Sequence, residues 1–208
     1  MKRLAILGAS GHGKVVADTA ECCDWEIIEF FDDAWPHVSS IGGWPVIGTT
    51  DDLLGRVSEY DGVLVAIGNN GVRQNKLDQL KASGARLPTL IHPSAVISHY
   101  ASIGPGTVVF ANAVVNAYAM VGEGAILNTG CSVDHDCVLE SCVHISPGAR
   151  LAGTVSVGAG SWIGIGACVR QVIAIGANVV IGAGAAVVCD ISDNMIATGV
   201  PARAVARA

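Results

Sequence analysis

An aliphatic residue recurs at every sixth position from Ile91 to Val187, through Ile97, Ile103, Val109 and onward, for 17 consecutive matches without a slip. At a one-in-three aliphatic frequency, chance produces such a run on the order of once in a hundred million. The position four residues after each aliphatic is mostly small, as at Ala101, Thr107, Ala113, Ala119, Ala125, Cys131 and Cys137. The position directly after the aliphatic is often glycine, as at Gly104, Gly122, Gly158, Gly164, Gly176 and Gly182. A period of six does not match the helical repeat, glycine recurs throughout, and β-branched residues dominate the repeated positions. The pattern predicts a parallel β-helix, with one branched aliphatic and one small residue filling each side of a narrow prism and glycine serving its corners. Three hexads make one triangular coil, so roughly 100 residues give between five and six coils about 4.8 Å apart.

The first ninety residues follow another pattern. An apolar strand, Lys2 to Leu7, runs into the glycine turn GASGHG (Gly8 to Gly13) and a helix from about Gly13 to Glu21. A second strand, Glu26 to Phe31, ends in Asp32 and Asp33; a third, Gly62 to Ile67, runs into IGNNGVR and a helix from about Gly71 to Ser83. This is a short parallel α/β sheet, Rossmann-like in kind. The organisation read here is therefore a nucleotide-binding domain over 1–90 and an all-β parallel β-helix with a short C-terminal tail over 91–208.

In such sheets ligands bind beyond the carboxyl ends of the strands, where Gly8 to Gly13, Asp32 with Asp33, and Gly68 with Asn69 and Asn70 all fall. Glycines at a helix start let backbone N–H groups approach phosphate, and an acid about 20 residues on is placed to accept from a ribose or base. The turn is GxxGxG rather than GxGxxG, so the dinucleotide fingerprint is missing and a nucleotide, not NAD, is the expected ligand.

A net charge of −6 offers no basic field for nucleic acid. No apolar run approaches the roughly 20 residues of a membrane span, and Met1 to Ser10 lacks the apolar region and cleavage site of a signal peptide, so the expectation is a cytoplasmic protein. The 7 cysteines are odd in number and form no CxxC pair, which suggests neither a disulfide framework nor a zinc site; no metal is expected. Cys131 and Cys137 occupy small buried positions of the repeat and are read as packing.

Charged and imidazole side chains of the β-helix gather in NTGCSVDHDCVLESCVH, which holds Asn128, Asp134, His135, Asp136, Glu140 and His144. One coil is 18 residues, so His135 stacks between Ala117 and Gly153, and His144 between Ile126 and Trp162. Neutral imidazole suits removal of a proton from an attacking amine, which makes His135 the candidate base. Asp136 can orient its ring only if the two residues sit at a prism corner, because neighbours on a strand diverge. The Gly153 N–H is placed to stabilise an oxyanion, and His144 to hydrogen-bond a thioester or an amide of coenzyme A.

GASGHG, the Asp32-Asp33 pair, AIGNNGVR, LIHPSA, ILNTGCSVDHDC, HISPGARLAG and the closing GVPAR together resemble the nucleotide-aminosugar acetyltransferases of the sialic acid O-acetyltransferase type, which include the N-acetyltransferase of the bacillosamine pathway. The resemblance covers the whole chain. It implies a left-handed β-helix, a homotrimer with sites across subunits, and acetyl-CoA as co-substrate without a metal. It implies that Ser10, Gly11, His12, Asp32, Asp33, Gly68, Asn69 and Arg73 bind the nucleotide of a UDP- or GDP-linked sugar. It also implies that His135 and Asp136 are the catalytic pair, while Asn128, His144, Gly153, Ile165 and Gly166 line the groove for substrate and acetyl-CoA. The implied reaction is N-acetylation of a 4-amino-4,6-dideoxy sugar for glycan or O-antigen assembly, with amine dependence separating it from sugar O-acetylation. A non-catalytic nucleotide-sugar-binding protein keeps both folds and needs no base, which His135 beside Asp136 argues against.

Overall fold

The structure is a computed structural model describing residues 1–206, so the β-helix domain expected over 91–208 runs two residues past the description. The chain divides into two compact units, Met1–Pro93 and Ser94–Ala208.

The first unit is built on a three-stranded parallel sheet in the order β2-β1-β5, with β1 at Arg3–Leu7, β2 at Ile27–Phe31 and β5 at Gly62–Val65. Register aligns Leu4 with Ile28 and with Gly62. Leu4, Ile6, Phe30, Phe31, Val63 and Leu64 are fully buried, as a parallel strand covered on both faces requires. Helix α1 (Gly11–Glu21) covers the sheet with Val16, Ala17 and Ala20, and α3 (Asn70–Ala82) with Leu77 and Leu80. Two small elements interrupt the simple βα alternation: a hairpin of β3 (Ser40–Ile41) and β4 (Trp44–Pro45), and the helix α2 (Thr50–Leu54). The N-terminus of α2 is closed by a capping box in which the Thr49 hydroxyl accepts from Asp52 N–H and the Asp52 carboxylate accepts from Thr49 N–H.

The second unit is a parallel β-solenoid. Two-residue strands recur every six residues from Val96–Ile97 to Ala186–Val187 and stack in register on strands 18 residues away. The second residue of each strand is the aliphatic of the hexad, and all of these are buried from Val109 onward. The small position fills the space between sides: Ala113, Ala119, Ala125, Cys131, Cys137, Ala149 and Ala167 are fully buried. Burial pushes the Cys131 thiol up to about 12 and raises that of Cys137, so both are inert packing at neutral pH. Where a hydroxyl takes the small position it bridges coils; Ser161 Oγ donates to Gly176 carbonyl at 2.7 Å and accepts from Val179 N–H at 2.9 Å. Past the last repeat, Met195–Thr198 continues one sheet and pairs antiparallel with Arg203–Ala206.

The glycines of the hexad differ from their expected role. Gly104, Gly122, Gly158, Gly164, Gly176 and Gly182 do not turn the corner with positive φ. They are packed against the next coil, where a Cβ on Gly158 would lie 2.5 Å from Ala177 N and one on Gly122 2.7 Å from Glu140 C. Left-handed backbone falls instead three residues after each aliphatic from Ile103 to Ile181 and follows the three edges of the prism. One edge reads Gly106, Gly124, Cys142, Gly160, Asn178, and the second Asn112, Gly130, Gly148, Gly166, Gly184. The third reads Tyr118, Asp136, Thr154, Val172 and contains no glycine.

Val172 on that third edge is 70% exposed and β-branched, so little packing offsets its backbone cost. A left-handed L residue costs about 1–2 kcal/mol, against about 0.5–1 kcal/mol for glycine entropy. Val172→Gly is therefore expected to raise Tm by roughly 1–4 °C. Differential scanning calorimetry checks this, and an unchanged or lower Tm contradicts it.

Candidate active site

Two groups of polar side chains emerge, one in each unit. In the first, a cavity of about 270 Å³ opens at the carboxyl ends of the strands, lined by Gly8, Ser10, Asp32, Asp33 and Gly68 together with Thr50, Val72 and Lys76. Gly8 stands at φ +115° under the Ala66 carbonyl, and Gly13 packs against the Gly8 carbonyl and Phe30, so these two glycines serve close approach of strand and helix. Gly11 has open space around it and begins α1 beside Ser10, whose side chain makes no cap hydrogen bond. A helix start with a free hydroxyl and an uncovered glycine suits an anion.

The two aspartates are fixed differently. Asp32 accepts from Ala9 N–H at 2.7 Å and from Ala34 N–H at 2.9 Å, which ties the glycine turn to the end of β2. Asp33 accepts from Thr50 N–H at 2.8 Å and from Lys76 Nζ at 3.0 Å, and Lys76 also donates to Thr50 Oγ1 at 2.8 Å. Desolvation raises the Asp33 pKa, but the hydrogen bonds from Thr50 and the charge of Lys76 outweigh it and hold the carboxyl below its ordinary value.

Four residues of the expected nucleotide set, Gly11, His12, Asn69 and Arg73, stand outside the cavity lining. The Arg73 guanidinium is 1% exposed and donates to the Ile67 and Gly68 carbonyls and to Asn70 Oδ1 at 2.7 Å. In this structure it braces the loop after β5. Asn69 Oδ1 accepts from Val72 N–H at 3.0 Å and caps α3. Burial, helped by the nearby Arg73 charge, pushes His12 down to about 4, so it is neutral at physiological pH. Sequence reasoning missed Lys76 and Thr50. Lys76 lies one turn after Val72 on the same face of α3, and the signal for Thr50 was the capping pattern Thr49 to Asp52.

In the second unit, His135 Nδ1–H donates to Asp136 Oδ2 at 2.8 Å. The corner that this contact needs is present: Asp136 has φ +57°, which folds its carboxylate back toward the preceding ring. Asp134 Oδ1 accepts from His135 N–H at 2.9 Å and from Asn116 Nδ2 at 2.9 Å, anchoring the backbone on the other side. With its proton held on Nδ1, the neutral imidazole presents the lone pair of Nε2. The ring lies over Gly153, where a Cβ would fall inside contact distance of His135 Cε1 and Nε2. Thr154 N–H donates to the His135 carbonyl and Ala152 N–H to the Val169 carbonyl, so the amides flanking Gly153 are engaged.

One face on, His144 is 7% exposed and stacks on Trp162 with ring centroids 4.7 Å apart. Asn128 Oδ1 accepts from Thr129 N–H at 2.8 Å, which orients its amide so that Nδ2 donates to His144 Nε2 at 3.3 Å. Trp162 Nε1 donates to Ser146 Oγ at 2.7 Å. Ile165 is 60% exposed, and a Cβ on Gly166, at φ +64°, would meet nothing within 4 Å, so this edge offers an apolar surface with an uncovered backbone. Among the described residues no cluster of His, Cys, Asp and Glu could hold a metal ion.

The hydrogen bond to Asp136, reinforced by the charges of Asp134 and Asp136, raises the His135 pKa above 6.5 against the opposing effect of desolvation. A base at Nε2 acts only when unprotonated, so any rate that depends on it rises with pH through a midpoint above 6.5 and then levels. Asp136→Asn removes the charge and moves that midpoint down toward 6.5. Profiles of kcat/KM against pH for both proteins check this; a wild-type midpoint at or below 6.5, or no displacement in the variant, contradicts it.

Comparison with known proteins adds several likenesses. Residues 3–80 match the family described as PglD N-terminal domain. The acetyltransferase domain of PglB from Neisseria gonorrhoeae FA1090, in complex with acetyl coenzyme A, is 47% identical and superposes with a TM-score of 0.94, covering 98% of this chain and 99% of that one. PerB from Caulobacter crescentus, in complex with CoA and GDP-perosamine, is 38% identical with a TM-score of 0.93, covering 99% of this chain and 98% of that one. The UDP-N-acetylbacillosamine N-acetyltransferase of Bacillus subtilis (strain 168) is 39% identical over 115 residues, a match that spans 53% of this chain and about half, 52%, of that relative.

Proposed function

The chain belongs to the nucleotide-aminosugar N-acetyltransferases of the hexapeptide-repeat superfamily, and from that premise we propose that it transfers acetyl from acetyl-CoA to the amine of a UDP- or GDP-linked 4-amino-4,6-dideoxy sugar. The observation that carries this reading is the His135–Asp136 pair, with an exposed imidazole whose Nδ1 proton is held at 2.8 Å and whose Nε2 is left as a base.

The cavity of the first unit takes the nucleotide, with Gly8, Ser10 and Gly11 toward the diphosphate and Asp32, Asp33 and Lys76 toward the nucleoside. Asn128 orients His144, which meets the thioester or pantetheine amide, and Trp162, Ile165 and Gly166 flank the pantetheine arm. The amine nitrogen attacks the thioester carbonyl carbon as its proton passes to His135 Nε2. The C–N bond forms, and the oxyanion of the tetrahedral adduct accepts from the Gly153 N–H. The C–S bond then breaks, and the proton on His135 neutralises the departing CoA thiolate. Asp136 steadies the imidazolium meanwhile. The reaction runs in one ternary complex without an acyl-enzyme, in keeping with buried, protonated Cys131 and Cys137.

Exposed apolar side chains along the solenoid, such as Val96 at 63% and Met120 at 52%, support burial against further copies of the chain, as a homotrimer. The absence of any helix long and apolar enough to cross a membrane, among the described residues, is consistent with action in the cytoplasm on precursors of a surface glycan such as O-antigen. The test is product analysis after incubation with acetyl-CoA and each nucleotide-linked 4-aminosugar. An acetylated sugar that resists alkaline hydroxylamine is an amide and supports the proposal, whereas an ester labile to it points to O-acetylation.

A further inference from the structure

The third edge of the solenoid, Tyr118, Asp136, Thr154 and Val172, keeps side chains on left-handed backbone at every position, while the other two edges use mostly glycine. Asp136 has its reason in the hydrogen bond to His135. Tyr118 has no such local reason: tyrosine gains nothing from left-handed φ, and the ring is 59% exposed. Strained backbone of this kind gathers at ligand sites, and Tyr118, unlike Val172 on the same edge, presents an aromatic face there.

Tyr118 lies one coil from Asp136, about 4.8 Å along the prism axis, and the two coils are joined there by Asp136 N–H donating to the Ala117 carbonyl at 3.1 Å. Its ring stacks on Tyr100, also exposed, with centroids 5.1 Å apart and planes 20° apart, and His99 closes the far end at 3.8 Å from Tyr100. The dyad therefore sits at the end of a short aromatic platform. On the opposite side the imidazole lies over Gly153.

We infer that Tyr118, backed by Tyr100, is the platform on which the hexopyranose ring of the acceptor rests while its amine is presented to His135. This rests on the acetyltransfer reading above. A 4-amino-4,6-dideoxy sugar carries a C6 methyl where other hexoses carry a hydroxymethyl, and an aromatic face is the complement of that methyl and of the axial ring C–H bonds. The platform thus gives the site a preference for deoxy acceptors and sets the ring's position relative to Nε2.

The test is calorimetric titration of UDP and GDP, and of their 4-amino-4,6-dideoxyhexose conjugates, into wild type, Tyr118→Ala and Tyr118→Phe, with thiol release and light scattering on the same proteins. The expected result is that Tyr118→Ala weakens binding of the sugar conjugate roughly tenfold, leaves the bare nucleotide and the KM for acetyl-CoA unchanged, and that Tyr118→Phe stays within about twofold of wild type. Four outcomes overturn the inference: equal binding of conjugate and bare nucleotide by wild type, a parallel loss for the nucleotide, failure of Tyr118→Phe to restore binding, or dissociation of the oligomer by Tyr118→Ala, which would make the platform a subunit contact. Conjugate binding that depends on Tyr118 without thiol release would instead sink the transferase reading and leave the platform standing.

Discussion

His135→Ala lowers kcat for amine acetylation by roughly 10²–10⁴, the range typical of a positioned general base, while stability stays within the few tenths of a kcal/mol usual for exposed side chains. The size follows from the geometry. Nδ1 is occupied by Asp136 at 2.8 Å and the ring is 58% exposed, so Nε2 is the proton acceptor that the site offers without rearrangement. The free amine must lose one proton as its nitrogen bonds to the thioester carbon, and water is a poor substitute for an imidazole already in place. The pH limb attributed to the imidazole vanishes with the side chain. Stopped-time thiol assays across pH check both features. A variant that keeps most of its activity, or loses activity only because it unfolds, contradicts the assignment.

Gly153→Ala is expected to cost roughly 10²-fold in kcat, the effect of about 1 Å of misplacement at a reacting group, with a much smaller change in Tm. Gly153 has no positive φ and its added methyl would not meet backbone; it would meet the His135 ring. That ring is the far end of an exposed side chain and can swing away, which is why stability survives and alignment does not. The displaced ring also weakens its bond to Asp136, so the variant's pH midpoint falls toward 6.5, the direction opposite to that set by the dyad. Crystallography of the variant and its pH profile check this together. Wild-type kcat with an alanine at 153 would mean that the observed ring position is not the reacting one.

The solenoid and the dyad were legible in the sequence for a common reason: both are set by short, fixed offsets. Steps of six placed every strand from Val96–Ile97 to Ala186–Val187, and steps of 18 put His135 over Gly153 and His144 against Trp162. The corner glycines were misjudged because a glycine can be needed for φ or for space, and spelling alone does not separate the two. Gly158 is needed for space, Gly166 for φ. The Tyr118 platform was within reach of the same arithmetic, since residues 100, 118 and 136 share one edge, but nothing in the spelling of two tyrosines 18 residues apart tells a used ring from a merely exposed one.

The first unit was legible at the level of its three strands and two long helices and less so in detail. The hairpin Ser40–Ile41 with Trp44–Pro45 and the five-residue α2 are too short for periodicity to register. The case of Arg73 is different. The resemblance implies a nucleotide contact for it, and in this structure its guanidinium bonds the carbonyls of Ile67 and Gly68. Lys76, one turn further on, keeps its charge at the cavity through Asp33 and Thr50.

The measurement that bears most directly on the whole account is release of CoA thiol by the wild-type protein with paired acceptors, a UDP- or GDP-linked 4-amino-4,6-dideoxy sugar against the matching 4-hydroxy sugar. The account predicts turnover with the amine and little with the hydroxyl, because His135 has only a proton to remove from an already strong nucleophile. Turnover confined to the hydroxyl acceptor, or none with either, would contradict it.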